Sequence, residues 1–312
     1  MKTTVLDSLM FCFKNIGNSC YLNSALQCLF RLPLLNESLD NRSFILDASK
    51  PAHVFYKEYD DLRRMALGHD RCMISPALFR HALQLYAKHK KNSDFTGLTQ
   101  NDAAECIQFV LHGLHEAMAR EEDFSLIPIE NEDEKRCVEM LQLHFKKDFS
   151  DIIHHFYGFQ LSTIEKNVTA ESFLTLNLPI PNHAVTLIDC LHAYMSDETI
   201  EGWHNEATGE KVTATKTLRL YRVPALLFVC LKRFSADGRK NDRHVEVPLE
   251  MELKGIRYAL QCVCYHQGGV NSGHYTASAV VHGQWTMIDD DAYFALPNVS
   301  KNAYCMFYVQ QP

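Results

Sequence analysis

"NSGHYTASAVVHGQWTMIDDD", residues 271 to 291, decides how the second half of the chain is read. The alternating run after His274 reads as a strand, His282-Gly283 as a two-residue turn, and Trp285 onward as the returning strand. With those two residues as the loop, Val281 faces Gln284 and Thr276 faces Asp289. Side chains alternate with period two, so His274 shares a face with Thr276. His274 and Asp289 become diagonal neighbours, roughly 7–8 Å apart at the backbone, within reach of an imidazole and a carboxylate. Two readings follow. One is a surface hairpin with a polar face. The other is a base held in orientation by an acid, which needs a nucleophile beside it.

The candidate nucleophile lies in "KNIGNSCYLNSALQCLF", residues 14 to 30. Turn-forming Gly17, Asn18 and Ser19 precede Cys20, and apolar residues then recur at Leu22, Ala25, Leu26, Leu29 and Phe30. Those spacings describe one helix face. Asn18 or Ser19 can cap it, and Pro33 stops it. Cys20 then sits in the first turn, where unpaired N–H groups and the dipole favour thiolate and lower the pKa. A buried core thiol is the competing reading, since Cys28 and Cys106 also fall within helical patterns.

The chain of 312 residues is 46% hydrophobic, enough for one large domain or two ordinary ones. Its longest apolar run, residues 223–231, is far below the roughly 18 residues of a membrane span. The start, "MKTTVLDSLMFCF", carries Asp7 within its apolar stretch and reads as no secretory signal. Eleven cysteines cannot all pair within the chain, and reduced thiols in the cytoplasm or nucleus are expected. A net charge of −7 argues against nucleic acid and suits a basic partner. Helices are expected at residues 20–31, 102–118 and 137–145. Strands are expected at 225–234, 258–265, 274–281, 285–289 and 304–309. Residues 119–136 read as a long exposed loop. Helices first and strands later make an α+β chain with two lobes meeting at a cleft.

Residues 15–30 resemble the Cys box of the ubiquitin-specific proteases. "YALQCVCYHQGGVNSGHYTASAV", "WTMIDDDAYFAL" and "NAYCMFYV" resemble their His box in order and spacing. "TQNDAAECIQFVLHGL" is similar to their Gln-Asp-x-x-Glu segment, and "VPALLFVCLKRF" to a central palm strand. The resemblance implies a papain-like cysteine protease fold in a single catalytic domain. Residues of about 12–150 would form a helical thumb-like lobe, and about 151–312 a palm with reduced fingers. It implies Cys20 as nucleophile, His274 as general base, Asp289 as its orienter and Asn15 as oxyanion donor. Asp290 matches an acidic position that assists with oxyanion or water.

Asp102 and Glu105 would hold the arginine-rich tail of ubiquitin, while Gly273 and Tyr275 would line the channel for its Gly-Gly end. Asp102 followed by Glu105 also reads as a helix cap, and a capping carboxylate can keep one oxygen free for substrate. Phe234 reads equally well as a cleft residue or a strand-end core aromatic.

The chain departs from the family in the fingers. The two CxxC pairs of a structural zinc are missing, with no cysteine at 138–189 or 191–229. His154, His155, His183, His192 and His204 lack ligand spacing, so no zinc and no cofactor are expected. The expected partners are ubiquitin and ubiquitinated proteins, with neither nucleic acid nor membrane, and the expected state is a monomer. Two other readings stay open: a catalytically silent ubiquitin-binding scaffold, or the same chemistry on another ubiquitin-like modifier.

Overall fold

The structure is a computed structural model describing residues 9–312 except Ser43, Glu206, Ala207, Ala236, Val270, Asn271 and Pro297. Residues 1–8 of the stretch read above for a signal lie outside the described residues. The helices are α1 (Cys20–Leu29), α2 (Pro33–Asp40), α3 (Pro51–Gly68), α4 (Ala77–His89), α5 (Ala103–Met118), α6 (Glu132–Phe145), α7 (Asp151–Phe156) and α8 (Leu187–Tyr194). The strands are β1 (Phe11–Phe13), β2 (Cys72–Ile74), β3 (Gly158–Ile164), β4 (Asn167–Phe173), β5 (Thr175–Leu178), β6 (Glu198–His204) and β7 (Lys211–Arg222). They continue with β8 (Leu226–Leu231), β9 (Glu250–Leu253), β10 (Ile256–Gly268), β11 (Gly273–Val281), β12 (Gln284–Asp289), β13 (Ala292–Ala295) and β14 (Ala303–Gln310). The helical first half and β-rich second half are as expected. Two boundaries differ. Helix α1 ends at Leu29, and Pro33 opens α2 at its first turn, where a missing N–H costs nothing. The expected loop at 119–136 turns helical at Glu132, because Asn131 accepts from the Glu134 N–H and three acids follow in the first turn.

The main sheet runs β13-β12-β11-β10-β14-β8-β5, with β9 paired to β10. Every residue of β8 is buried, because both faces of the sheet are covered. Leu226, Phe228 and Cys230 face the helices, while Leu227, Val229 and Leu231 face α8 and its surroundings. That accounts for a continuous apolar run where a half-exposed strand would alternate. Phe228 and Phe307 stack at 4.5 Å between centroids on the helical side. Helix α1 lies against β11 on one flank and α5 on another. Its sequence is buried from Cys20 to Leu29.

A second sheet runs β4-β3-β7-β6. At its β3–β4 turn Glu165 adopts φ +56°, its N–H donates to the Thr215 carbonyl at 3.3 Å, and its Oε1 accepts from the Thr215 N–H at 3.1 Å. Ile164 pairs with Asn167, and Thr163 with Val168. Neither these residues nor the neighbouring Lys166 and Thr169 offer thiolates or imidazoles, so this turn does not fit a thiolate zinc site. Among the described residues no helix is long and apolar enough to cross a membrane, and every cysteine is unpaired.

Candidate active site

The hairpin has the register expected of it. Val281 pairs with Gln284 and Ala277 with Ile288, which carries Asp289 opposite Thr276. His282 and Gly283 take φ +51° and +77°, the left-handed pair that a tight hairpin turn requires. His274 and Asp289 accordingly meet, Nε2 to Oδ1, at 2.6 Å. Asp289 therefore fixes one ring nitrogen and leaves Nδ1 for a proton from elsewhere.

Cys20 opens α1 and is 2% exposed. The backbone N–H of Tyr275, the residue after His274, lies close enough to favour its thiolate. Burial pushes the thiol above its ordinary value, the Tyr275 N–H partly offsets this, and the Asp290 charge adds to the rise. The net direction is opposite to that expected from the helix start, because loss of water around a buried sulfur outweighs the amides of the first turn. The caps also differ. Ser19 holds the N-cap position, but its hydroxyl accepts from the Ile16 N–H and bonds no helical amide. Asn18 sits at φ +49° and donates its amide to the Leu98 carbonyl.

Asn15 and Asp290 touch. Asn15 Nδ2 donates to Asp290 Oδ2 at 2.8 Å, and Asn23 Nδ2 on α1 donates to Asp290 Oδ1 at 2.7 Å. Asp290 thus joins the Cys20 segment to the hairpin, and its backbone carbonyl accepts from the Phe13 N–H at 3.1 Å. An amide nitrogen carries two hydrogens, so Asn15 keeps one beyond its bond to Asp290.

Asp102 is the N-cap of α5. Its Oδ1 accepts from the N–H groups of Ala104 at 2.8 Å and Glu105 at 2.9 Å. The oxygen expected to stay free does not. Its Oδ2 accepts from Tyr304 at 2.6 Å and Tyr275 at 3.1 Å. Burial, with the Asp102 charge among the further causes, pushes both phenols far above their usual value. Glu105 is exposed as a whole, yet partial loss of water around its carboxyl at the cleft wall, followed by the charges of Asp102 and Asp94, raises its pKa. These residues line a cleft of about 460 Å³ together with Gln100, Phe234, His266 and Gly273. Phe234 is thus a cleft residue, and it also packs on His266 and Tyr304 at 5.0 and 5.4 Å.

The structure adds residues that the sequence reading did not single out. Gln100 Nε2 donates to the Gly273 carbonyl at 2.8 Å, and its Oε1 accepts from the Gly273 N–H at 3.4 Å. A Cβ on Gly273 would lie 2.0 Å from His266 Nε2, so the glycine makes room for that ring. Asn23, Gln100 and Tyr304 all stand inside the motifs quoted above, and their position there was the available signal. A nucleophile, an imidazole oriented by a carboxylate, an amide donor beside them and an acidic cleft together suit acyl transfer from a narrow, basic chain end.

Comparison with known proteins gives the same direction. The chain is 26% identical to ubiquitin carboxyl-terminal hydrolase 21 of Homo sapiens over 363 residues, covering 99% of this chain and 63% of that protein. It is 26% identical to ubiquitin carboxyl-terminal hydrolase 4 of Eremothecium gossypii over 362 residues, covering 94% of this chain and 42% of that one. The chain thus spans roughly two-fifths to three-fifths of the length of these relatives. Its fold is similar to Ubp8 in the SAGA DUB module with Sgf11, Sus1 and Sgf73 bound to monoubiquitin, with a TM-score of 0.72 at 22% identity, covering 100% of this chain and 71% of that one. The same module bound to ubiquitin aldehyde gives 0.71 at 22% identity, with 97% and 70% covered. The model of the family described as ubiquitin carboxyl-terminal hydrolase matches residues 11–308, so the chain belongs to that family.

Proposed function

We propose that this chain is a deubiquitinating thiol protease that cleaves the bond after the C-terminal glycine of ubiquitin. The observation that carries the reading is the His274–Asp289 bond of 2.6 Å on the strand against which the helix opened by Cys20 packs. Because burial holds the Cys20 proton on, attack and proton transfer go together. Sulfur bonds to the glycine carbonyl carbon as its proton passes to His274 Nδ1. The remaining Asn15 N–H faces the developing oxyanion. His274 then gives the proton to the leaving lysine amine as the C–N bond breaks. In the second half it takes a proton from water, whose oxygen displaces the thiolate. Asp290 holds Asn15 in place, Glu105 attracts the basic tail, Asp102 caps α5 and anchors Tyr275 and Tyr304 behind it, and Gly273 and Tyr275 line its channel.

The same reading takes residues 1–312 as one catalytic domain, with a thumb-like lobe to about 150 and a palm with metal-free fingers beyond. Its partners are ubiquitin and ubiquitinated proteins. Eleven unpaired cysteines suit a reducing cytoplasm or nucleus.

The test is a panel of modifiers carrying a C-terminal electrophile. Wild type is expected to form a covalent adduct with ubiquitin, and Cys20→Ala to form none while still binding ubiquitin. No adduct with any modifier would leave a silent scaffold. An adduct with a different modifier alone would keep the chemistry and change the substrate.

A further inference from the structure

Arg80, on α4, is 4% exposed, and its guanidinium reaches the loop in front of Cys20. Its Nη1 donates to the carbonyls of Ile16 at 3.0 Å and Gly17 at 2.8 Å. Among the described residues its Nε and Nη2 have no hydrogen-bond partner. A buried cation with unmet N–H groups works against stability. A methionine of similar length fills such a space without that penalty, so packing does not account for an arginine here.

The held loop carries Asn15. Gly17 and Asn18 take φ +93° and +49°, two consecutive left-handed residues of the types that reach this region most readily. In a trans peptide the C=O and N–H point to opposite sides. Drawing the Ile16 carbonyl toward Arg80 therefore turns the Gly17 N–H the other way, where it donates to Asn15 Oδ1 at 3.0 Å. Asn15 Nδ2 is held in turn by Asp290 at 2.8 Å. The amide oxygen also accepts from the Ser19 N–H and hydroxyl, both at the longer distance of 3.4 Å, so its shortest hold runs through Arg80 and that of its nitrogen through Asp290.

We infer that Arg80 is a positioning residue: through the peptide between Ile16 and Gly17 it fixes the Asn15 amide for the acyl-transfer step. This rests on the hydrolase reading proposed above. Displacing a polarising amide by less than an ångström costs up to about 100-fold in rate.

The experiment compares wild type, Arg80→Met, Arg80→Lys, Asn15→Ala and the Arg80→Met/Asn15→Ala pair on a ubiquitin C-terminal coumarin amide. Arg80→Met is expected to lower kcat about 10- to 100-fold with KM within about twofold. Arg80→Lys, which can reach one carbonyl, should recover part of the loss. Alkylation of Cys20 by iodoacetamide forms no oxyanion and should stay within about twofold of wild type. In the pair, Arg80→Met should lower kcat less than about threefold below Asn15→Ala, because no amide remains to be positioned. Hydrogen exchange of the Gly17 amide should quicken at least about tenfold in Arg80→Met. Additive losses, a KM effect in place of kcat, or an unchanged Gly17 amide would each overturn the assignment. Should wild type neither label with nor hydrolyse ubiquitin, the proposed function falls and the exchange arm alone decides: faster sustains Arg80's grip, unchanged removes it. If Arg80→Met does not fold, Arg80→Lys carries the same readouts.

Discussion

Asp102 and Glu105 look like one acidic pair in the sequence, yet the structure gives them separable jobs, and two substitutions tell them apart. Asp102→Ala removes the cap of α5 and the shared acceptor of Tyr275 and Tyr304. The cap is worth about 1 kcal/mol. Each buried hydroxyl left without its partner costs about 1–3 kcal/mol, and the lower end applies because water in the cleft can replace the carboxylate. The sum is about 3 kcal/mol, or a fall of roughly 4–5 °C in melting temperature for a chain of this size. Asp102→Asn keeps a capping oxygen and should lose only about 1 kcal/mol. Glu105 behaves oppositely. Its folded pKa is raised, so the folded state favours the protonated form. Below the unfolded pKa both states hold the proton and nothing is lost. As pH rises past it, the unfolded state ionises more readily and folding is penalised. Glu105→Gln is therefore neutral or mildly stabilising at pH 7. It should nevertheless raise KM for a ubiquitin amide about 5- to 10-fold, the worth of roughly 1–1.4 kcal/mol for one partly exposed contact with an arginine. Thermal melts, amide kinetics and Cys20 alkylation on one preparation decide the matter. A melting point for Asp102→Ala within 2 °C (about the error of the method), or a KM for Glu105→Gln within about twofold of wild type, would refute this division of labour.

Two further outcomes follow from the same cleft and its surroundings. Gly273→Ala drives a methyl to 2.0 Å from His266 Nε2, whereas at Gly269 the nearest atom, Ser272 Oγ, lies 4.0 Å away. The first should lose about 1–3 kcal/mol and most activity, the second neither; equal melting curves for both would show that the His266 ring yields freely. His115, bonded through Nδ1 to Ser150 Oγ at 2.8 Å, is lowered by burial from 6.5 to about 4. The unfolded chain takes up that proton first as pH falls below 6.5, so stability present at neutral pH is lost toward pH 4 by up to about 1.4 kcal/mol per pH unit. His115→Gln should flatten that limb in denaturant titrations, and an unchanged slope would show that other groups control it.

Local periodicity made much of this molecule legible. The two-residue turn at His282-Gly283 set the register that joins His274 to Asp289, and the apolar stripe after Cys20 placed that thiol at a helix start. Spacing could not reveal burial, which reversed the expected direction for the Cys20 thiol. Nor could it reveal contacts between distant segments. Asp102 looked as if it had an oxygen free because Tyr304 lies far along the chain, and Arg80 reads as one more basic residue on a helix until its carbonyl partners are in view. Ser19 at the helix start signalled a cap, but a nearby backbone N–H, that of Ile16, reached its hydroxyl instead.

The tight turn between β11 and β12 also governs the order in which the site comes into being. Those strands are neighbours in the chain, so imidazole and carboxylate can meet when the hairpin closes, on the order of microseconds. The thiol joins them only when α1 docks on β11, an encounter between nearly opposite ends of the chain and hence of the slow kind. A lone hairpin is marginal in water, so the pair is held once neighbouring strands join it, and the order expected is proton acceptor first and nucleophile last. Recovery of turnover during refolding is accordingly expected to clock the docking of α1 on β11, while spectroscopic probes of strand content report an earlier event.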